Sequence, residues 1–385
     1  MSSLIADKVR RMQPSGIRAF FDLVLGMKDV ISLGVGEPDF VTPWPIREAG
    51  ISSLEEGFTS YTSNKGLYKL RLTLSRDLKN RYGIDYSAED EILITVGVSE
   101  AMDLALRALI NPGDKILIPS PSYVSYAPLV ELAGGRAVFI PTQKDNFKLT
   151  PQNLARYIDS KSKAIIFNYP TNPTGISYTR KELDQINEVL LRKKVFCISD
   201  EIYADLTYDF EHTPFFLLKK AKENTLYLNG FSKSFAMTGW RVGFACGPKE
   251  IIAGMTKIHQ YTIMCVAITS QMAACEALHS GRRFVEEMKR EYKRRRDFIV
   301  TELNRIGLTC YKPQGAFYVF VNIKKTKLDA LTFAERLLKE KKVAVVPGVA
   351  FGKEFKDYVR ISYAANFENI KEALKRIEEF LHQLA

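Results

Sequence analysis

Three residues with chemistry to offer each stand just past a short apolar run. KAIIFN (163–168) leads into Tyr169-Pro170-Thr171-Asn172, VFCISD (195–200) ends on Asp200, and TLYLNG (225–230) leads into Phe231-Ser232-Lys233. The successive spacings are roughly 30 residues, about one strand–helix unit apiece. Residues that act in open α/β sheets gather beyond the carboxyl ends of the strands. The spacing therefore predicts one pocket at one sheet edge, shared by all three. Lys233 on its own reads as a surface lysine. Its neighbours Ser232, Thr238, Gly239 and Arg241 change that reading. Hydroxyls and a guanidinium suit a phosphate, which arginine grips with two parallel hydrogen bonds. An amine of lowered pKa beside a bound phosphate is what imine chemistry requires.

Asp200 at a buried strand end is costly as an isolated charge. A helix cap or a salt bridge would satisfy it. So would a cationic ring nitrogen such as the pyridinium of pyridoxal phosphate, whose electron-withdrawing character that pairing preserves. Tyr203 and Asn172 would then be on hand to donate to the ring oxygen. Gly97-Val98-Ser99-Glu100-Ala101 follows a further apolar run and opens a helix. Its free N–H groups and positive dipole end suit an anion, although many strand–helix turns hold Gly and Ser. Neither G-x-x-x-x-G-K-[ST] nor G-x-G-x-x-G occurs, so the common nucleotide fingerprints are missing. Arg360, in DYVRISYA (357–364), shares a strand face with Tyr358 and Ser362, while Val359 and Ile361 face the other way. It reads either as an edge arginine facing solvent or as a fork for a substrate carboxylate.

These residues need a scaffold. EILITV (91–96), KILIPS (115–120), RAVFIP (136–141) and VGFACG (242–247) join the three runs above as strand candidates. Near-continuous runs of Ile, Val and Phe mark strands buried on both faces of a mainly parallel sheet. Helices such as EAMDLALRALI (100–110), stopped by Asn111-Pro112-Gly113, lie between them. The prediction is an α/β fold: a large domain whose mainly parallel sheet of about seven strands is wound with helices on both faces. A smaller α+β domain formed from both chain ends accompanies it. That part draws on a long helix near 281–305, GAFYVFVNI (315–323), KVAVVPG (342–348), DYVRISYA and a terminal helix from about 367. The expected division is 1–45 packing with the small domain, 46–280 as the large domain and 281–385 as the small one.

The chain has 385 residues, 46% hydrophobic and 26% charged, as soluble globular proteins do. It shows no apolar run of about 18 residues and no secretory signal pattern, so a cytoplasmic protein without a membrane partner is expected. Its net charge of +11 raises the question of nucleic acid. The basic residues are spread along the chain, however. The one dense run, KREYKRRRD (289–297), alternates with Phe284, Met288, Tyr292, Ile299 and Leu303 at helical spacing and reads as a solvated helix face. Five widely spaced cysteines without a C-x-x-C pair indicate neither a disulfide framework nor a metal site, and are expected as buried free thiols.

A series of segments in chain order carries a family likeness. They are ISLGVGEPDF (31–40), YTSNKGLYKLR (61–71), SPSYVSYAPLVELAGG (120–135), NYPTNPTG (168–175), SDEIYADL (199–206), NGFSKSFAMTGWRVG (229–243), KPQGAFYVF (312–320), VAVVPGVAFG (343–352) and VRISYA (359–364). Together they resemble the class I aminotransferases of the fold-type-I pyridoxal-phosphate superfamily, and within it the prokaryotic aspartate and aromatic aminotransferases. The resemblance covers nearly the whole chain. It implies transamination between an L-amino acid and a 2-oxo acid, with 2-oxoglutarate as acceptor and pyridoxal phosphate carried covalently by Lys233. It implies Asp200 on the pyridine nitrogen, Asn172 and Tyr203 on the phenolic oxygen, and Tyr123 stacked on the ring. Gly97, Val98, Ser99, Ser232 and Arg241 would surround the phosphate. Arg360, with Asn172 and the backbone of Gly36, would clamp the substrate α-carboxylate, and Ile17 would line the entrance. Tyr61 matches a tyrosine that reaches the neighbouring subunit's phosphate, which implies a homodimer with shared active sites. Lys233 would also move the proton at the substrate Cα.

Two departures bear on the substrate. Some aspartate enzymes of this group carry a lysine in the phosphate cradle, where this chain has Ser99. Others use a partner-subunit arginine for the distal carboxylate, whereas IHQYTIMCVAIT (258–269) contains no Lys or Arg. The reading is an aromatic or broad-range donor, with aspartate close behind. The same fold and lysine also serve β-eliminating C–S lyases, which is the alternative activity. A non-catalytic regulator on this fold would add a helix-turn-helix domain, whereas this chain is expected to begin almost directly with the enzyme's N-terminal segment.

Overall fold

The computed structural model describes residues 4–12, 14, 16 and 27–384. After a short β1 (Ile31–Ser32) come β2 (Ile92–Thr95), β3 (Lys115–Ser120), β4 (Arg136–Pro141), β5 (Ser162–Asn168), β6 (Phe196–Asp200), β7 (Thr225–Gly230) and β8 (Gly243–Cys246). The last seven form one sheet in the order β2-β8-β7-β6-β5-β3-β4. Neighbours from β7 through β4 are parallel, while β8 runs antiparallel to both β7 and β2. The α/β architecture follows from the apolar runs. Successive side chains of a strand face opposite ways, and here both faces are covered. Ile116 and Ile118 pack with Ala101, Leu104 and Ala105 of the helix Gly97–Leu109. Leu117, between them, packs on the other face with Leu183, Ile186 and Leu190 of the helix Arg180–Lys193. Each such Leu or Ile contributes about 1.5–3 kcal/mol by leaving water. That second helix starts at a reciprocal cap, with the Thr179 hydroxyl accepting from the Glu182 N–H and the Glu182 carboxylate accepting from the Thr179 N–H.

The later strands are β9 (Thr309–Cys310), β10 (Tyr318–Asn322), β11 (Val343–Ala344), β12 (Val346–Pro347) and β13 (Tyr358–Ser362). Four of them make an antiparallel sheet, β12-β13-β10-β9, and β11 pairs in parallel with β1. Val319, Val321, Val359 and Ile361 face Met288, Ile299 and Leu303 of the helix Arg282–Arg305, and Ile370 and Ile377 of the helix Phe367–Leu384. Tyr203, Leu206 and Tyr208, from the loop after β6, join this core. They tie the edge of the large sheet to the small one.

Two expectations need correction. The run at 289–297 is not uniformly solvated, because Arg295 and Arg296 are buried. Arg295 pairs with Asp39 at 2.9 Å, and Arg296 pairs with Asp209 at 2.6 Å. Glu291 and Asp297 within the run share in compensating these charges, but the distant carboxylates Asp39 and Asp209 are not visible in it. Of the cysteines, Cys197, Cys246 and Cys275 are buried free thiols, but Cys265 and Cys310 are only half-buried.

Candidate active site

Beyond the carboxyl ends of β5, β6 and β7 lies a cavity of about 790 Å³, within the size range of small-molecule sites. Asn172, Asp200, Tyr203, Ser232, Lys233 and Arg241 all line it. Val98, Ser99 and Tyr123 border it from the neighbouring strand–helix turns, Arg360 closes it from the small sheet and Gly36 from the loop after β1. The predicted convergence is therefore realised in space. Gly97 lies just behind this lining. Tyr61 is 82% exposed, away from the cavity of its own chain. Ile17 lies outside the described residues.

Lys233 Nζ donates to the carbonyl of Gly36 at 2.7 Å. Burial pulls its amine down to about 8; Arg241 and Arg360 push the same way, against Glu37 and Asp200. Near neutrality an appreciable share of the amine is thus unprotonated and nucleophilic. Asp200 moves in the opposite sense. Burial lifts its carboxyl to about 6, and adjacent Glu201 adds to the lift, while hydrogen bonds from the Tyr126 hydroxyl and the Ile202 N–H oppose it. The Tyr126 hydroxyl sits 2.6 Å from Asp200. Behind Asp200, the buried Glu201 is held by Ser199, the Phe215 N–H and His212, the last at 2.6 Å.

The helix Gly97–Leu109 opens at Gly97, as the Gly97–Ala101 motif predicts, so Gly97, Val98 and Ser99 supply its first N–H groups. These have no partner inside a helix and suit an anion. Gly97 has φ 71, and a Cβ there would stand 2.7 Å from Arg241 Nη2. Only glycine lets the guanidinium lie against the start of the helix. Glu100 braces this turn from behind, accepting from the Val96 N–H at 2.5 Å and meeting His259 at 2.7 Å.

Arg360 is buried in the middle of the small sheet between β12 and β10, not exposed on an edge. Its Nη1 donates to Asn172 Oδ1 at 3.0 Å and its Nη2 to the Gly34 carbonyl at 2.5 Å, both neutral acceptors. Among the described residues its buried Nε has no partner. Burial lowers its pKa, the direction expected of a cation short of a counter-charge. The guanidinium lies 4.4 Å from the Tyr318 ring centroid.

Reading the sequence missed Tyr126, Tyr318, Glu37 and Asn168. Asn168 donates to the Asp200 carbonyl and accepts from the Asn172 N–H. Glu37 borders the cavity and accepts from Thr238 at 3.0 Å. Tyr126 follows Tyr123 by three positions across the turn that leads into the helix Tyr126–Leu132, and the two rings meet edge to face at 5.6 Å.

A sequence profile for a family described as aminotransferase class I and II matches residues 28–377. YugH of Bacillus subtilis, named only as an aminotransferase, is 50% identical over 384 residues, covering 100% of both chains. The aspartate aminotransferase of Pyrococcus abyssi is 44% identical, covering 98% of each. The crystal structure of an aromatic aminotransferase from Pyrococcus horikoshii superposes with a TM-score of 0.90 at 43% identity, covering 96% of this chain and 100% of that one.

Proposed function

Because this chain belongs to the class I and II aminotransferases and is a transaminase, we propose that its cavity holds pyridoxal phosphate, covalently bound through Lys233. One observation carries this reading: a nucleophilic amine, a buried carboxyl and an anion cradle face one cavity. The donor set fits the cofactor part by part. Among the described residues Asp200 has no ion-pair partner, a place the pyridine nitrogen would take, and Gly97, Val98, Ser99, Ser232 and Arg241 offer N–H, hydroxyl and guanidinium donors to the phosphate. Tyr203 and Asn172 stand for the ring oxygen and Tyr123 for the ring face. The bound group supplies an aldehyde carbon and an electron-withdrawing ring. Arg360, Asn172 and Gly36 orient the amino acid by its carboxylate, and Lys233 takes the proton from Cα and returns it.

The domain division at about 45 and 280 belongs to the same proposal, as does a homodimer. Tyr61 is exposed beside a second exposed group, Tyr261, Ile263 and Met264. The Asn64 side chain joins the two segments by donating to the Met264 carbonyl at 2.8 Å. An apolar patch of this kind marks a contact surface, and a second copy seated there would bring Tyr61 towards its neighbour's phosphate cradle.

Asp200→Asn tests the cofactor assignment. The folded carboxyl titrates near 6, above its ordinary 3.8, so the folded chain keeps this proton longer than the unfolded chain. The stabilising neutral form is fully present below about pH 4 and lost as pH rises through about 6. Without cofactor, Asp200→Asn should therefore become progressively more stable than wild type over that window, by up to about 3 kcal/mol. With pyridoxal phosphate at pH 7.5 the order reverses, since only the carboxylate pairs with a pyridinium. Thermal melts with and without cofactor measure both. An equal gain from pyridoxal phosphate in the two proteins would remove Asp200 from the assignment.

For the donor we propose an aromatic or broad-range L-amino acid, with 2-oxoglutarate as acceptor. Among the described residues lining the cavity, the cations are Lys233, Arg241 and Arg360, and each has a task already. A side-chain carboxylate finds no further cation among the described residues, and Glu37 opposes it. The expected kcat/KM for Phe and Tyr exceeds that for Asp by at least about tenfold, the worth of one missing charge-assisted hydrogen bond. The opposite order would overturn this choice of donor.

A further inference from the structure

Tyr318 opens β10 almost completely buried, and three residues of the proposed site meet on it. Its hydroxyl is 2.9 Å from that of Tyr203. Its ring lies against the guanidinium of Arg360, 4.4 Å from centroid to Cζ. Its hydroxyl also rests on the bare Cα of Gly36, where a Cβ would come within 2.8 Å of it. Gly36 is the residue whose carbonyl receives Lys233. A tyrosine held only for packing would need neither the hydroxyl pair nor the glycine beneath it.

We propose that Tyr318 is a positioning residue with two separable tasks: its ring seats the Arg360 fork, and its hydroxyl donates to Tyr203, strengthening Tyr203's own donation to the cofactor ring oxygen. This rests on the reading of the cavity as a pyridoxal-phosphate site. Burial raises the pKa of both phenols, so both are protonated at neutral pH. One hydrogen bond between two hydroxyls has one donor. Once the Tyr203 proton is committed to a ring oxygen, the Tyr318 proton is the one that points to Tyr203. Hydrogen bonds aligned in this way polarise one another. A stronger donor favours the ionised ring oxygen and lowers the pH at which the bound chromophore takes up its proton. The other groups facing the pair are Arg360, Lys233, Glu37 and Tyr123. All of them remain when only the Tyr318 hydroxyl is removed.

The test uses holoenzyme of wild type, Tyr318→Phe and Tyr318→Leu, with absorbance titration of the bound cofactor and steady-state kinetics. Tyr318→Phe should move the titration midpoint upward by about 0.3–1 pH unit, the equivalent of one hydrogen bond. It should lower kcat and leave KM for the donor within about twofold. Tyr318→Leu should show the same shift and also raise KM about 5–30-fold, because the guanidinium loses its aromatic seat. The Phe variant keeps the packed ring, so it decides the role of the hydroxyl even if the Leu chain fails to fold. A Phe variant that titrates with wild type, or that raises KM as far as Leu, overturns the inference and leaves the cofactor assignment standing. A wild-type chain that shows no cofactor absorbance overturns both.

Discussion

Replacing Lys233 with alanine is expected to reduce turnover by at least about 10⁴-fold while the protein still binds pyridoxal phosphate. Two tasks vanish together, the covalent attachment point and the group that moves the Cα proton, and positioned acid–base catalysis alone is worth about 10²–10⁴. The remaining contacts persist, because Arg241 packed on Gly97 and the N–H groups of Gly97, Val98 and Ser99 do not depend on the lysine. Thermal melts should accordingly still rise with cofactor. Borohydride reduction followed by peptide mass analysis should place the pyridoxyl group on Lys233 in wild type and nowhere in the variant. The pH dependence has a definite sign. With the amine pulled down to about 8, capture of the cofactor by wild type should accelerate as pH rises to about 8 and level off above it. The same shift burdens the folded state fully below about pH 8 and eases between there and about 10.5, where the folded chain sheds the proton first. A variant that keeps both turnover and the trapped adduct would sink the assignment of Lys233.

What the chain discloses about this site divides along physical lines. β3, β5, β6 and β7 are legible because a strand covered on both faces needs an unbroken apolar run, and each has one. The reversed direction of β8 is not, since VGFACG buries equally well in either orientation. Lys233, Asp200 and Asn172 are legible because each ends such a strand or stands within four residues of its end, so sequence order converts to position at the sheet edge. Arg360 has no such guide. Its solvent-facing alternative fails only because β12 and β10 flank β13 and cover it. Tyr126 and Tyr318 look like ordinary aromatic core positions until folding places an Asp200 carboxylate and a Tyr203 hydroxyl opposite them. The buried pairs Arg295–Asp39 and Arg296–Asp209 join residues far apart along the chain, which local charge patterning does not register.

Arg360→Leu should separate substrate recognition from everything else in the site. Without ligand this guanidinium rests on two neutral oxygens, and its Nε is unpartnered among the described residues, so it is a buried cation lacking a counter-charge. Removing such a group relieves a desolvation cost, and the variant should melt no lower than wild type apart from the packing change over Tyr318. Cofactor affinity should hold, because the hydrogen bonds and ring contacts of Arg360 go to Asn172, Gly34, Tyr318 and Phe351 and not to the cradle residues Ser99, Ser232 and Arg241. The loss falls on kcat/KM. Truncating one partner of a buried, hydrogen-bonded ion pair costs about 2–5 kcal/mol, or roughly 30- to 5000-fold. It should appear mainly in KM, and equally for amino acids and oxo acids, since both carry the same carboxylate. Arg360→Lys should recover only part of it. A point charge cannot hold Asn172 and Gly34 while presenting a planar fork. Primary amines lacking the α-carboxylate provide the internal control: their slow reaction with the bound cofactor should be indifferent to either substitution. If those amines lose as much as the amino acids do, Arg360 acts through the cofactor or the fold, and the carboxylate clamp must be placed elsewhere.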